Sequence, residues 1–570
     1  MKKDLVIYPH LYENMEDWPT YKLSQDRANF IREIEEVTFQ RLSSRKFQAM
    51  VDTLTKTIYQ ERIRIKESPW KVDPPNERVF WSKVSKRLIQ RSLDRPEEEA
   101  RAEAEEVLRL IIHRYAEEIV GTFRISTFRF ARRFLTVFFN RLFNAAVDKS
   151  IASLWRGRRQ LYERLNVVGD IETVRSLFRH GTVVVVPTHS SNLDSILVGY
   201  VMDQIMGLPS FSYGAGLNLY NFGPAAYFMN RLGAYRVDRR KKNIIYLETL
   251  KTMSRLSIQR GVNSLFFPGG TRARSGELER ELKLGLLGTT VEAQRALCQQ
   301  GSDRKVFIVP MVLSYHFVLE APFLIEEYLR SVGKEQYLRL RDESYSVRSW
   351  FRYIWRFFST TSDIAVSVGK PMDVVGNFVD AQGRSYDRFG NEVDIRDYFR
   401  DVHGDINEDK QRENEYTRLL AERLVERYAV DNIVLSSQLV AFAVFEILAH
   451  QHPRLDLFGL LRLPPDDYRF PFRAVAEVVE QMQRQLFEWE AEGKIKLSEE
   501  VRWPAPEVVR HGVSKLGVFH REKPLYFVKE EAIVSSDFRV LYFYHNRLKN
   551  YGLEKAVQWK SEEIEVWRNE

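Results

Sequence analysis

The sequence predicts an α/β domain, a sheet with helices packed over it, flanked on both sides by mainly helical regions. Short β-branched runs bounded by turn residues occur at 182–187, 264–268, 306–312 and 364–368. Longer segments with helical spacing separate these runs, including 244–259 and 286–299. Because strands that alternate with helices build a sheet covered by helices, we expect the active site in this central stretch.

The length of the chain predicts more than one folded region. Its 570 residues exceed what a single hydrophobic core ordinarily organises. We predict a helical N-terminal region over 1–160, the α/β domain over 161–375 and a mainly helical C-terminal region over 376–570. After Pro371, the segment DAQGRSYDRFGNEVD is rich in Gly, Asp and Asn and indicates a loop at the second boundary. We identify no internal repeat.

Composition and charge limit the class of protein without choosing one. Hydrophobic residues make up 44% and charged residues 29% of the chain, which is typical of a globular protein and not of a disordered one. The net charge of +8 fits a nucleic-acid, membrane-surface or anionic-substrate partner equally well. Cys298 is the only cysteine, which excludes an intrachain disulfide, a cysteine-ligated zinc cluster and a dithiol redox pair. We therefore expect a reducing, cytoplasmic setting.

The apolar segments do not predict a membrane span. The N-terminal residues include two lysines but no sustained apolar core after them, so we expect no secretory signal. The longest apolar candidate, 432–449, is interrupted by Ser436, Ser437, Gln438 and Glu446. Since a bilayer crossing needs about 20 mainly apolar residues, we interpret 432–449 as a buried helix.

The segment VVVVPTHSSNLDS carries the strongest chemical signal. His189 follows the end of a buried strand, and Asp194 lies five positions later. Ser190, Ser191 and Asn192 are favoured at helix N-caps, so the chain is expected to bend from strand into helix here and bring the carboxylate to the imidazole. A histidine held by a carboxylate can remove a proton from an alcohol. Taken alone, the motif also fits a capping aspartate beside an unrelated histidine.

No G-x-S-x-G sequence accompanies this motif, so direct attack by an acceptor alcohol is simpler than an acyl-serine route.

Two basic clusters follow this motif. The first, RLGAYRVDRRKK, surrounds a Gly-Ala turn and contains Arg231, Arg236, Arg239, Arg240, Lys241 and Lys242. The second, FFPGGTRARSG, places Arg272 and Arg274 behind Gly269 and Gly270, and Lys283 comes soon after. Glycines let backbone amides approach an anion while arginine and lysine supply charge, which suits a phosphate on the acceptor. A solvated surface is the alternative for each cluster on its own.

The order and spacing of these segments resemble the glycerol-3-phosphate and acylglycerol-phosphate acyltransferase superfamily, most closely its bacterial membrane-associated glycerol-3-phosphate acyltransferase branch. The resemblance spans about residues 180–372. Its blocks are HSSNLD, GAGLNL at 214–219, RLGAYRVDR at 231–239, FFPGGTRARSG at 266–276, VFIVPMVLSY at 306–315 with Pro310, and VGKP at 368–371.

The resemblance implies an α/β acyltransferase domain built on a mixed sheet covered by helices. It also implies that His189 is the general base, oriented by Asp194. Arg239, Arg272 and Lys283, with Arg274, would hold the phosphate of the acceptor, and the backbone of Gly269 and Gly270 would line its site. The 1-hydroxyl of glycerol 3-phosphate would then attack the thioester of acyl-CoA or acyl carrier protein. The product is 1-acylglycerol 3-phosphate, the first step of phospholipid synthesis, and no metal or other cofactor is implied.

The sequence departs from the family pattern at two places. Gly269 stands where the third block normally carries a glutamate, and Tyr235-Arg236 replaces an aromatic or apolar pair. The missing glutamate leaves three possibilities open: weaker binding of glycerol 3-phosphate, a related acceptor such as dihydroxyacetone phosphate, or compensation by another residue. Arg236 either contacts the phosphate or faces solvent.

The acyl donor and the product predict contact with a membrane surface. The basic amphipathic segment 123–146 and the aromatic segment 349–358 are candidates for peripheral or monotopic binding at the cytoplasmic face of the inner membrane, with core packing as the alternative. An acyltransferase acting on dihydroxyacetone phosphate or a lysophospholipid, and an inactive lipid-binding relative, remain alternatives. We expect no nucleic-acid partner, because no recognised binding motif accompanies the basic residues.

Overall fold

A seven-stranded mixed sheet forms the centre of the protein. The computed structural model describes residues 6–70, 72–89, 97–144, 165–217, 220, 223–333, 364–516, 520–529 and 532–559. The strands are β1 (Leu165–Gly169), β2 (Gly181–Pro187), β3 (Ser212–Gly216), β4 (Ala234–Val237), β5 (Ser264–Leu265), β6 (Lys305–Tyr315) and β7 (Ile364–Val368). Their spatial order is β1-β7-β6-β2-β5-β3-β4.

The sheet is parallel except at one boundary. Strands β6, β2, β5, β3 and β4 run in one direction, whereas β7 pairs antiparallel with β6 and β1 runs parallel to β7. This arrangement confirms the predicted fold class. All four strands expected from β-branched runs are present, although the run at 264–268 pairs over only two residues. Strands β1, β3 and β4 were not predicted, because glycine and polar residues interrupt their apolar pattern.

Alternating residues of β2 enter two different cores, which explains its continuous valine run. Val184 and Val186 pack with helices α11 (Leu284–Gln299) and α13 (Lys410–Val430). Val183 and Val185 pack on the other face with α8 (Asp194–Tyr200) and α14 (Ser436–Gln451). A strand covered on both faces needs apolar side chains at every position, and all seven residues of β2 are buried.

The N-terminal region is helical, as predicted. Its helices are α1 (Pro19–Gln25), α2 (Arg27–Ser43), α3 (Phe47–Glu67), α4 (Glu77–Ile89), α5 (Glu97–Ile119) and α6 (Ile125–Asn144). Within the α/β region lie α7 (Ile171–Leu177), α8, α9 (Gly223–Met229), α10 (Ile244–Gln259), α11 and α12 (Ala321–Val332). Helices α2, α3 and α5 pack against α10, so the N-terminal region lies beside the loop that follows β4.

The C-terminal region is also mainly helical. It contains α13, α14, α15 (Leu457–Leu460), α16 (Phe472–Ala491), α17 (Ala505–Lys515) and α18 (Phe538–His545). Short strands pair as β11 (Ile433–Val434) with β13 (Lys496–Leu497), and as β12 (Arg469–Pro471), β15 (Ala532–Val534) and β14 (Tyr526–Val528).

Helix α14 confirms the interpretation of 432–449 as buried, since nearly all of its residues are inaccessible to solvent. Across the residues described, no helix combines the length and the apolar character that a bilayer crossing requires.

The predicted loop after Pro371 is instead a small antiparallel sheet built from a repeat. Strands β8 (Phe378–Val379), β9 (Ser385–Tyr386) and β10 (Glu392–Val393) form the sheet. The sequence D-x-x-G begins at 373, 380, 387 and 401, and each aspartate accepts hydrogen bonds from backbone amides two and four residues later. The expectations of a loop and of no internal repeat are therefore wrong. The first three turns begin seven residues apart and the fourth begins fourteen residues after the third, while each strand is too short to show alternation. The boundary at 375 stays a prediction.

The C-terminal region touches the loop between β5 and α11. Asn546 Nδ2 donates to the carbonyl of Ser275 at 2.8 Å. Gly276 has a φ of +86°, and a Cβ added there would lie 2.1 Å from the carbonyl oxygen of Phe543 in α18. Glycine is required here both by backbone conformation and by close approach.

Replacing Gly276 by alanine is expected to lower the thermal midpoint through both effects. Gly301→Ala is the matched control, because Gly301 also has a positive φ, +67°, but no atom lies within 4 Å of an added Cβ. In the control, only the left-handed conformation lowers the free energy of unfolding, by about 1–2 kcal/mol. Thermal unfolding should show a loss for Gly276→Ala at least about twice that of Gly301→Ala; equal losses would contradict the close packing of α18 on this loop.

Candidate active site

Neighbouring parallel strands deliver the predicted site residues to one edge of the sheet. Strands β2, β5, β3 and β4 are adjacent and parallel, so their carboxyl ends meet at the same edge. His189 follows β2, Phe267 follows β5 and Arg239 follows β4. The glycines of the GAGLNL block lie within β3, while 218 and 219 fall outside the described residues.

His189 and Asp194 are hydrogen-bonded to each other. His189 Nδ1 lies 2.8 Å from Asp194 Oδ2, and the aspartate side chain is fully buried. Asp194 begins α8, so the predicted bend from strand into helix is present. Because Nδ1 faces the carboxylate, its proton is donated there and Nε2 is left as the basic nitrogen. Asp194 thus caps the turn and also holds the histidine.

Asp194 accepts hydrogen bonds from three further donors. The backbone amides of Ser190 and Ser191 reach Oδ2 at 2.6 and 2.8 Å, and the Tyr315 hydroxyl reaches Oδ1 at 2.6 Å. Burial and the neighbouring Asp194 charge raise the pKa of Tyr315 well above its ordinary value, which keeps the hydroxyl protonated as a donor. Tyr315 was not predicted as a site residue, although it ends the VFIVPMVLSY block.

Three contacts fix the remainder of His189. Its ring stacks on Phe267 with centroids 4.2 Å apart, and its carbonyl accepts from the Ala273 amide at 2.7 Å. Its own amide donates to Glu279 Oε1 at 2.5 Å. Burial raises the pKa of Glu279, against hydrogen bonds and nearby positive charge that lower it. Glu279 was not predicted as a site residue, because it belongs to none of the blocks.

The structure separates the cations of the first basic cluster. Arg240 pairs with Asp238 and Asp73, Lys241 pairs with Glu118, and Arg236 donates to the side chain of Asn230. Arg239 has no acidic partner in the parts of the chain that are described, and burial together with the Arg272 charge lowers the pKa of its guanidinium. Arg239 thus lies at the same edge as His189 without an acidic partner. Arg231, which donates to the Tyr227 carbonyl, and the exposed Lys242 likewise have no acidic partner among the described residues.

The second cluster divides in the same way. Arg272 lies 3.7 Å from Glu320 Oε1, a loose contact, and its charge reaches Arg239. Arg274 pairs with Glu327 of α12 at 3.1 Å, so the predicted grouping of Arg274 with the other phosphate ligands is not seen. Lys283 is exposed and has no acidic partner among the described side chains.

Glu320 also accepts hydrogen bonds from Ser191 Oγ and from the Asn192 amide, which links Arg272 to the turn after His189.

Comparison with known proteins identifies the stretch that contains this constellation. Residues 165–314 match the protein-family model described as Acyltransferase. This match supports the predicted resemblance to the glycerol-3-phosphate and acylglycerol-phosphate acyltransferase superfamily, and residues 165–314 are called the acyltransferase domain below.

Two curated relatives align with the acyltransferase domain. A glycerol-3-phosphate acyltransferase of Haemophilus ducreyi is 33% identical over 191 residues, covering 33% of this chain and 22% of the relative. A glycerol-3-phosphate acyltransferase of Alteromonas mediterranea is 29% identical over 224 residues, covering 39% of this chain and 24% of the relative. The chain thus spans about a quarter of the length of these relatives.

A solved structure also shows a likeness. The 1-acyl-sn-glycerophosphate acyltransferase PlsC of Thermotoga maritima covers 67% of this chain and 97% of its own at 13% identity, with a TM-score of 0.24. A TM-score this low does not establish a shared fold.

Gly270 has a structural role in the loop between β5 and α11. The Gly270 amide donates to the Phe267 carbonyl at 3.0 Å. That the backbone of Gly269 and Gly270 lines the acceptor site stays a prediction. Its φ of +77° explains why glycine is needed at 270. The Lys283 amide donates to the Pro268 carbonyl at 2.7 Å and closes the loop. Among the residues described, no group of three His, Cys, Asp or Glu could hold a metal ion.

The N-terminal helices hold the loop that carries Arg239. Asn243 caps α10 by accepting from the Tyr246 amide, and its Nδ2 donates to Glu61 and to the Tyr115 hydroxyl at 3.0 and 2.9 Å. The hydroxyl oxygen of Tyr246 accepts a hydrogen bond from the Asp238 amide at 2.7 Å. These buried contacts join α3 and α5 to Asn243, and Tyr246 to Asp238, so both ends of the loop are held and the backbone position of Arg239 is fixed.

Replacing Tyr315 by phenylalanine should destabilise the acyltransferase domain, because Asp194 Oδ1 loses its donor in a buried site. The cost of such an unsatisfied charged group is about 1–3 kcal/mol. Tyr235→Phe is the matched control, since the Tyr235 hydroxyl is buried without a partner and its removal should be neutral or stabilising. Thermal unfolding of both variants checks this; a Tyr315→Phe midpoint at or above that of Tyr235→Phe would contradict the role given to the hydroxyl.

Proposed function

We propose that the protein transfers a fatty acyl group from acyl-CoA or acyl carrier protein to the 1-hydroxyl of glycerol 3-phosphate, forming 1-acylglycerol 3-phosphate. The observation that carries the proposal is the His189–Asp194 pair at the strand edge that also carries the unpaired Arg239. His189 Nε2 receives no hydrogen bond from the described residues, and the side chain is 17% exposed, so this nitrogen is open to a ligand.

Proton transfer by His189 is the central step of the proposed reaction. Nε2 takes the proton of the acceptor hydroxyl as its oxygen attacks the thioester carbonyl, and Asp194 stabilises the resulting imidazolium. Collapse of the tetrahedral intermediate breaks the carbon–sulfur bond, and the imidazolium returns its proton to the departing thiolate. No covalent acyl-enzyme is needed, because the acceptor oxygen attacks the donor directly.

The phosphate of the acceptor is the proposed ligand of the free cations. Arg239 has no acidic partner in the described chain, Arg272 has only the loose contact with Glu320, and Lys283 is exposed at the closure of the same loop. Mutual repulsion between Arg239 and Arg272 is relieved when an anion binds between them. Holding the phosphate in this way fixes the distance of the reacting hydroxyl from His189.

We propose glycerol 3-phosphate as the acceptor because both curated relatives are named glycerol-3-phosphate acyltransferase. Two other acceptors share the phosphate and are the ones to compare. Dihydroxyacetone phosphate has a terminal hydroxyl but a carbonyl at C2, and lysophosphatidate has its free hydroxyl at C2.

The purified protein should acylate glycerol 3-phosphate from palmitoyl-CoA or palmitoyl-acyl carrier protein, and His189→Ala should lower the rate about 10²–10⁴-fold by removing the general base. Products from glycerol 3-phosphate, dihydroxyacetone phosphate and lysophosphatidate are identified by mass spectrometry. His180→Ala is the matched control, because His180 is exposed at the opposite end of β2.

A folded His189→Ala variant with the wild-type rate would remove the general-base role. Preference for another acceptor would move the protein within its superfamily, and no product with either donor would favour an inactive lipid-binding protein.

We further propose that α6 binds the cytoplasmic face of the inner membrane peripherally. One face of α6 is anchored, since Arg132 pairs with Asp203 and Phe128 packs edge-on against Trp18. The opposite face exposes three large apolar side chains together with two arginines: Phe130 (58%), Phe134 (56%), Val137 (57%), Arg129 and Arg133. The second candidate segment, 349–358, lies outside the described residues.

Serine at Phe130, Phe134 and Val137 together should weaken binding to anionic phospholipid vesicles about tenfold or more, because the apolar area that enters the interface is lost. Co-sedimentation measures the bound fraction. Phe389→Ser is the control, since Phe389 is 74% exposed but lies in a turn of the small antiparallel sheet. Retention of wild-type binding by the triple variant would show that α6 does not contact the membrane.

A further inference from the structure

Gly269 and Glu279 compete for one space beside His189. A Cβ added at Gly269 would lie 2.9 Å from Glu279 Cγ and 3.4 Å from Glu279 Oε1. The loop returns on itself, because Lys283 bonds back to Pro268, and this closure brings Glu279 beside position 269. The side chain of Glu279 therefore fills the place into which a side chain at 269 would extend.

The two oxygens of the Glu279 carboxylate have different surroundings. Oε1 accepts the hydrogen bond from the His189 amide at 2.5 Å. Oε2 is shielded from solvent and has no hydrogen-bond partner in the structure. A buried polar atom without a partner is costly, so each one needs an explanation such as a catalytic role or a bound group. The free oxygen thus lies on a carboxylate that directly contacts the residue bearing the catalytic base.

Among the described residues, no cation donates a hydrogen bond to this oxygen. Arg547 is buried and its charge favours the ionised form of Glu279, but its hydrogen bonds go to Asn432 Oδ1 and to the Leu313 carbonyl, at 2.9 and 2.7 Å. The positive charge thus stabilises the carboxylate from a distance and leaves the acceptor position of Oε2 open.

We propose that Glu279 is a specificity-determining residue of the acceptor site, whose Oε2 accepts a hydrogen bond from the second hydroxyl of glycerol 3-phosphate. The inference rests on the proposed function. Oε1 positions the backbone of His189, so the same carboxylate orients both the general base and the acceptor. An ionised carboxylate can only accept hydrogen bonds. It therefore suits the C2 hydroxyl of glycerol 3-phosphate and opposes the C2 carbonyl of dihydroxyacetone phosphate.

The first test replaces Glu279 by glutamine in the full chain. Glutamine keeps an oxygen for the His189 amide and presents an NH₂ donor in place of Oε2. The ratio of kcat/KM for glycerol 3-phosphate to that for dihydroxyacetone phosphate should fall about tenfold or more, because the donor now suits the carbonyl. Arg239→Ala is the control: both acceptors carry the phosphate, so their KM values should rise together and the ratio should stay constant.

Direct binding separates this inference from the proposed activity. Calorimetric titration of each acceptor into wild type and Glu279→Gln, without acyl donor, should show the same change in the affinity ratio even if acyl transfer is not detected. Absence of turnover by the wild type overturns the proposed function, whereas a proportional loss for both acceptors in Glu279→Gln overturns the role of Oε2.

An exchange of positions provides the second test. Gly269→Glu alone should displace Glu279 and lower both the thermal midpoint and the preference for glycerol 3-phosphate. Combining Gly269→Glu with Glu279→Ala should recover the preference, since the carboxylate then reaches the same space from position 269, whose φ is not in the left-handed region. A double variant no better than Gly269→Glu alone contradicts the shared site.

Discussion

The site depends on the hydrogen bonds that the buried carboxylate of Asp194 accepts. It collects the imidazole of His189, two amides of the turn and the hydroxyl of Tyr315, which ends a different strand. A carboxylate removed from water is stable only when its oxygens are satisfied, so the turn, the base and β6 must be in register for any one of them to be stable. The same interaction defines the tautomer of the histidine and the start of α8.

Each flanking region contacts one loop of the acyltransferase domain. The N-terminal helices fix the loop of Arg239 through the network of Glu61, Tyr115 and Asn243. The C-terminal region fixes the loop of Arg272 through α18 and Asn546. The central sheet positions His189 at the same edge as these two loops, so the three loops at this edge are supported by different parts of the chain.

The sequence predicted the elements that carry a strong local pattern. The valine run of β2, the long helices and the H-x-x-x-x-D spacing each have a physical cause within a few residues. Strands β3 and β4 escaped prediction because glycines and arginines interrupt them, and the D-x-x-G turns escaped because their strands are two residues long. Glu279 could not be found by spacing, since its place beside Gly269 depends on how the loop closes. The distinction between Arg239 and its paired neighbours likewise required the partners contributed by distant helices.

The contact between Asn546 and Ser275 joins residues 271 positions apart in the chain. During synthesis the strands and loops of the acyltransferase domain leave the ribosome long before α18 does. The loop that carries Arg272 and Glu279 therefore lacks its backing surface while the domain is first folding, and the acceptor site is completed only when the C-terminal helices dock. Assembly of this edge of the sheet is in this way coupled to docking of the C-terminal helices, which are synthesised after the strands that support it.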